Sequence, residues 1–211
     1  MNHLAKLFQL LELTRSQPQY GYALAGIPKA ELSDLAQHHY LVTIIAWHIT
    51  RVLNSKGANL DVGKVLEFAM IHDLGELFGG DISMPYAKAN PKARQLAKAF
   101  EEENQKYLAK FFGDDRNYIE KLGKEILDAS IDEALVAKLA DYIECTHFKS
   151  YVGKLTKGDI TMANQKMKII AGKINNEVCK TNAINLVESW SNQLETGVGE
   201  IFESSKSEEE F

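Results

Sequence analysis

Apolar residues along this chain recur at the three-to-four-residue spacing of a helix, and no group of segments alternates as strands do. That periodicity confines the fold to the all-α class. Leu4, Leu7, Phe8, Leu10 and Leu11 form one stripe of a helix expected over Leu4–Leu13. A loop follows, "SQPQYGYALAGIPK", punctuated by Pro18, Gly21, Gly26 and Pro28. The next helix starts near Ser33, where "SDLAQ" supplies a cap, and runs to about Leu53 with His38, Leu41, Val42, Ile45, Ile49 and Val52 facing inward. A third is expected over Asp61–Leu77, stopped by Gly79 and Gly80. After "GDISMPYAKANP", read as a loop, Pro91 opens a charged helix through "RQLAKAFEEENQKYLAKFF" whose polar face is solvated. Further helices are expected over Asn117–Leu127, Asp132–Tyr151 and roughly Ile160–Thr196, with the acidic end 203–211 disordered.

A chain of 211 residues suits one domain, here residues 1–200, with its functional core at about 30–151 and C-terminal helices at about 160–196. The formal net charge of -5 argues against sequence-independent binding to a nucleic-acid polymer, yet leaves room for a small anion held by local cations. Cys145 and Cys179 form neither a paired metal motif nor a disulfide framework, which suits a reducing compartment. The start, "MNHLAKLFQLLELTRSQ", breaks its apolar run with charges and does not read as a signal peptide. No apolar run approaches the ~20 residues of a membrane span. The expectation is a cytoplasmic protein without a membrane partner.

The stretch "AMIHDLGELFGGD" carries the chemistry, because it places His72, Asp73, Glu76 and Asp81 directly after an apolar run. On a continuous helix His72 and Glu76 share a face at i and i+4, and Asp73 lies about 100° around. His38 sits on the inner face of its own helix. A lone histidine there is ordinarily a hydrogen-bonded core residue, and gains a second reading only where other ligands converge on it. Asp141 is one such partner: its same-face neighbours Ala134, Ala137, Lys138, Cys145 and Phe148 are mostly small or apolar. A carboxylate in those surroundings is costly without a cation or several donors. Two imidazoles and two carboxylates suit Mn, Fe, Co, Zn or Mg better than a thiolate-bound structural zinc. They also leave coordination positions for water and a substrate oxygen.

The order H…HD…D, in "AQHHYL", "MIHDLGELFGGDI" and "KLADYIE", resembles the HD-domain metal-dependent phosphohydrolases. The form HDxxExxxGD followed by "ISMPYAKANP" is similar to their 5'-deoxynucleotidase branch, with His38 34 residues before His72 and Asp141 68 residues after Asp73. The likeness covers about Leu4 to Tyr151. It implies an all-α HD-domain helical bundle with a central metal site, in which His38, His72, Asp73 and Asp141 hold one divalent ion (Mn, Co, Zn, Fe or Mg). It further implies that Glu76 and Asp81 position and deprotonate the attacking water, that a nucleotide is the small-molecule partner, and that the protein is a homodimer. The implied reaction removes phosphate from deoxyribonucleoside 5'-monophosphates.

His38 rather than His39 is taken as the ligand, because the family's histidine follows "AE", here "AQ". His3, His48 and His147 have no place in the pattern and read as ordinary surface or core residues. The branch uses an Arg and a Trp in the loop before the first histidine. Here "TRSQPQYGYALAG" puts Tyr22 at the aromatic position and Gln19 or Arg15 at the arginine position, with Lys88 as a substitute point charge. Two alternatives stay open: an HD phosphohydrolase of another small phosphoester or nucleotide, and a non-catalytic nucleotide-sensing domain. Glu76 and Asp81 weigh against the sensor. A cluster of His and Asp that merely satisfies itself in the core is the plain structural alternative, and bound metal discriminates against it.

Overall fold

Five of the helices start where a side chain closes the first turn. In the computed structural model, which describes residues 4–194, the helices are α1 (Leu4–Leu11), α2 (Leu35–Ser55), α3 (Val62–Ile71), α4 (Met84–Ala89), α5 (Pro91–Ala109), α6 (Arg116–Asp128), α7 (Asp132–Tyr151), α8 (Lys157–Ala171) and α9 (Glu177–Gln193). Asp34, Asp61, Asn90 and Asn176 accept from the backbone N–H three residues on, and so cap α2, α3, α5 and α9. Thr156 and Asp159 form a reciprocal capping box at the start of α8. Strand-type pairing among the described residues is limited to an isolated antiparallel bridge between Pro18 and Asp34, so the fold is all-α as the periodicity requires.

Helices α2, α3 and α7 pack on one another, and α8 and α9 continue the bundle beside α7 and α2. Val42, Ala46, Ile49 and Leu53 line the inner face of α2, against Val65, Phe68 and Ala69 of α3 and Val136, Leu139, Ala140 and Ile143 of α7. Burying a side chain the size of Phe68 contributes about 1.5–3 kcal/mol, so this trio forms a stiff platform for whatever its ends present. No helix among the described residues is long and apolar enough to cross a membrane.

Several local expectations are corrected. The first helix stops at Leu11, and Glu12–Arg15 is a 3-10 turn. Leu41 faces outward at 45% exposure, and Ala46 and Leu53 take the inward positions. Residues 84–89, expected as loop, form α4 with Pro85 in its first turn. The C-terminal helices expected at about 160–196 are α8, which starts earlier at Lys157, and α9; the turn between them is pinned where Asp132 accepts the backbone N–H groups of Asn175 and Asn176. Thr196, His3 and the 203–211 tail lie outside the described residues.

The largest correction is at α3, which ends at Ile71 rather than Leu77; Leu74–Phe78 is a 3-10 segment held by α5. The face of α5 expected to be solvated therefore has a buried member, Asn104, whose amide donates to the Gly75 carbonyl at 2.7 Å. A Cβ at Gly75 would stand 2.5 Å from Glu101 Cγ and 2.7 Å from the Glu101 carbonyl oxygen, which is why glycine occupies the position. Gly75→Ala is expected to cost about 1–3 kcal/mol through this overlap. A thermal melt reads it as a loss of roughly 2–12 °C, and an unchanged Tm would show that α5 does not clamp the segment.

Candidate active site

The early end of α3 delivers the site. His72 is its C-cap (φ -54, ψ -37), Asp73 turns away at φ -112, ψ 15, and the 3-10 segment carries Glu76. His72 and Glu76 therefore do not share an α-helical face, as a continuous helix had implied; the turn brings them together. Gly79 and Gly80, at φ 99 and 118, occupy the left-handed region that suits glycine and reverse the chain so that Asp81 returns. The Asp81 carboxylate accepts the Gly21 N–H at 2.5 Å, tying the loop before α2 to the site.

Four predicted ligands converge. His38 Nε2 lies 3.0 Å from His72 Nε2 and 3.5 Å from both Asp73 Oδ2 and Asp141 Oδ1. His72 Nε2 lies 3.4 Å from Asp73 Oδ2 and 3.9 Å from Asp141 Oδ1. Donors ~2.1 Å from a shared cation stand about 3.0–3.4 Å apart, so the spacing fits one ion. The far side of each ring is engaged: His72 Nδ1 donates to the Ala69 carbonyl at 2.9 Å, and His38 Nδ1 meets Glu144 Oε2 at 2.6 Å. With each Nδ1 engaged on the far side, the two Nε2 atoms face each other in a buried space. A cation between them would take both lone pairs, and the outward bonds orient the rings for it.

Charge tells the same story. Burial presses on the His38 ring, but Asp141, Asp73 and Glu144 outweigh it and hold the ring's pKa well above the ordinary value. Burial likewise opposes ionisation of Asp73 and Asp141, yet His72 and His38 (for Asp73) and His38 and His72 (for Asp141) keep both carboxyls below their usual range. Glu76 is pushed up to about 11 by burial and then by Asp73, Asp81, Glu101 and Asp141. Glu101, from α5, is pushed up to about 8 by burial and by Asp73. Asp81 is raised by burial against the Gly21 N–H.

So many carboxylates around one point need positive charge, and the donor set fits a divalent ion. Without one, the fold holds protons on Glu76 and Glu101 that the unfolded chain releases above about pH 4.5, so stability is lost as pH rises toward 8. The raised His38 acts in the same direction above its ordinary value, whereas the lowered Asp73 and Asp141 matter only in acid. Chelated protein should therefore melt lower at pH 8 than at pH 6, and added ion should restore more at pH 8. An ion at about a hundred times its Kd adds about 2.7 kcal/mol. Equal restoration at both pH values would contradict the reading.

The sequence profile of the family described as 5'-deoxynucleotidase YfbR-like matches residues 25–185, which spans both histidine helices, the HD turn and Asp141. The chain belongs to the YfbR-like 5'-deoxynucleotidase family. A curated 5'-deoxynucleotidase of Pasteurella multocida is 26% identical over 165 residues, covering 76% of this chain and 74% of that protein. Two archaeal structures share the fold. A conserved hypothetical protein of Pyrococcus furiosus has a TM-score of 0.62 at 24% identity, covering 88% of this chain and 99% of that one. A Pyrococcus horikoshii protein has 0.61 at 20% identity, with 87% and 98% covered.

Beside this His/Asp cluster of the YfbR-like chain opens a cavity of about 550 Å³. Asp73, Glu76, Asp81 and Asp141 line one part, and Gln19, Tyr22, Ser83 and Lys88 also line it. Gln19 Oε1 and Ser83 Oγ are buried without a hydrogen-bond partner among the described residues, an arrangement that asks for a ligand. Tyr22 is wedged against Phe148 with ring centroids 4.7 Å apart, and burial raises its hydroxyl pKa, so it stays neutral. Arg15 does not line the cavity; it is exposed and pairs with Glu12 at 2.6 Å. Between the two candidates for the arginine position, the structure brings Gln19 inward.

His39 packs against His72 with ring centroids 4.9 Å apart, and its buried Nε2 has no hydrogen-bond partner among the described residues. It is nonetheless His38 whose Nε2 lies within 3.5 Å of His72, Asp73 and Asp141. His48 is exposed, and His147 accepts from Trp190 at 2.9 Å, so neither joins the site. Sequence reasoning missed Glu144 and Glu101. Glu144 stands three residues after Asp141 on α7, a spacing that puts it on the ligand's side of the helix. Glu101 carried no local signal, because α5 reaches the site only through tertiary packing.

Proposed function

We propose that this protein is a divalent-cation-dependent phosphomonoesterase that cleaves nucleoside 5'-monophosphates, deoxy forms preferred, to nucleoside and inorganic phosphate. The observation that carries the proposal is the pair of buried Nε2 atoms 3.0 Å apart, flanked by two carboxylates, with Glu76 at the same cavity. The similarity to the Pasteurella multocida 5'-deoxynucleotidase supports the substrate class. The proposed set is His38, His72, Asp73 and Asp141 for the ion, whichever of Mn, Co, Zn, Fe or Mg it is, and Glu76 and Asp81 for the water.

When bound, the ion supplies Lewis acidity, withdrawing charge from the phosphoryl group and making water easier to deprotonate. Glu76 accepts the proton of the attacking water. Burial and like charges make it a strong base once the local positive charge has ionised it. As the water oxygen bonds to phosphorus, the P–O5' bond breaks, and the proton held on Glu76 is available to the departing nucleoside oxygen. Asp81, fixed by the Gly21 N–H, restricts where that water sits. Tyr22 packs against the sugar and crowds the 2' position, while Gln19 and Ser83 offer their unpartnered atoms to the substrate.

Phosphate release from matched deoxyribo- and ribonucleoside monophosphates tests the reading. The deoxy form should be favoured by about tenfold or more in kcat/KM, and Tyr22→Ala should erase most of the preference. Equal rates for both sugars in the unaltered protein would contradict the assignment of Tyr22. Release from neither, with ion bound, would favour another phosphoester or a sensing role.

A further inference from the structure

The cavity is electrically divided. Its metal end is carboxylate-rich, whereas Lys88, Lys149, Lys154 and Lys166 line it from α4, the end of α7, the loop after α7, and α8. Asp159 is the one carboxylate that lines it beside them, and it is engaged with Lys149 at 2.8 Å. Lys88, Lys154 and Lys166 form no ion pair among the described residues, although the chain carries 29 acidic side chains and a net charge of -5. Lys88 Nζ reaches Met162 Sδ across to α8, and Lys166 stands one turn beyond Met162 on the same face, so these two cations come from opposite sides of one opening. Along α7, Lys149 lies eight residues beyond the ligand Asp141, an axial rise of about 12 Å. Three uncompensated cations gathered at one opening repel one another unless an anion joins them.

We infer that the lysine end is a subsite for a second phosphate, and that the ligand class it takes is a nucleotide carrying one phosphate at the metal end and another on the far side of the nucleoside, as in a nucleoside 3',5'-bisphosphate. The inference rests on reading the acidic end as the place of the scissile phosphate. Lysine suits this subsite as a point charge on a long stem that need not fix the anion's orientation. The reaction at the metal end is unchanged: water adds to the 5'-phosphorus, the P–O5' bond breaks, and the 3'-phosphate stays on the product.

The test compares deoxyadenosine 5'-monophosphate with deoxyadenosine 3',5'-bisphosphate in the full-length protein, unaltered and as the double variant Lys154→Ala, Lys166→Ala, both supplied with Mn. The unaltered protein should show a KM for the bisphosphate about tenfold below that for the monophosphate, and the double variant should lose that advantage with its monophosphate KM unchanged. A variant that weakens both substrates alike, or neither, overturns the inference. If the unaltered protein hydrolyses neither compound, the phosphatase reading fails on its own. Calorimetric binding of the bisphosphate then decides the subsite: binding lost in the double variant upholds it, and binding unchanged overturns it.

Discussion

His72→Ala is expected to empty the site of its cation and to lower phosphate release by roughly 10²–10³-fold or more. The imidazole it removes lies within 3.9 Å of the other three proposed donors. His39, which can offer a nitrogen within 4.8 Å of Asp73, is the nearest replacement, but His38 is the ring that faces both carboxylates. The variant should still fold, because α3 ends just before this residue and its core members Val65, Phe68 and Ala69 are untouched. Metal content by elemental analysis, together with helical circular dichroism, separates loss of the ion from loss of the fold. A variant that keeps both the ion and its rate would remove His72 from the site.

Glu76→Gln should behave differently. Its shape is retained and its amide accepts no proton, so kcat should fall about 10²–10⁴-fold with KM and cation content little changed. The same substitution removes one member of a crowd of buried carboxylates, and the chelated variant should melt higher than chelated unaltered protein at pH 8. The pair of outcomes is diagnostic: a sensing domain would share the stability gain but have no turnover to lose. A Glu76→Gln protein with normal turnover would show that another group takes the proton.

The all-α class and the convergence of His38, His72, Asp73 and Asp141 were legible because they rest on local signals: helical periodicity, side-chain caps, and polar residues on otherwise apolar faces. Asp34, Asp61 and Asn90 mark their helix starts in the sequence itself. The end of α3 was not legible. Leu74, Leu77 and Phe78 continue the apolar spacing of the helix before them, and the break depends on Asn104 holding the Gly75 carbonyl from a helix about thirty residues away. Packing of α5 on this segment also brings Glu101 near Asp73, and the contact of the Gln19 N–H with the Ser33 carbonyl belongs to a loop that turns Gln19, not Arg15, to the cavity. Glu144 is a different case, since its spacing from Asp141 was readable and its role became evident only once His38 Nδ1 was seen to need a partner. The split of the C-terminal region into α8 and α9 depends on Asp132, more than forty residues upstream of the turn it pins.

The most direct measurement is phosphate release from a deoxynucleoside 5'-monophosphate by protein stripped of metal and then titrated with Mn, Co, Zn or Mg, alongside His72→Ala. The account predicts negligible release from stripped protein, saturable recovery with about one ion per chain, and no recovery in the variant. Full release by the stripped protein, or equal recovery in His72→Ala, would contradict it.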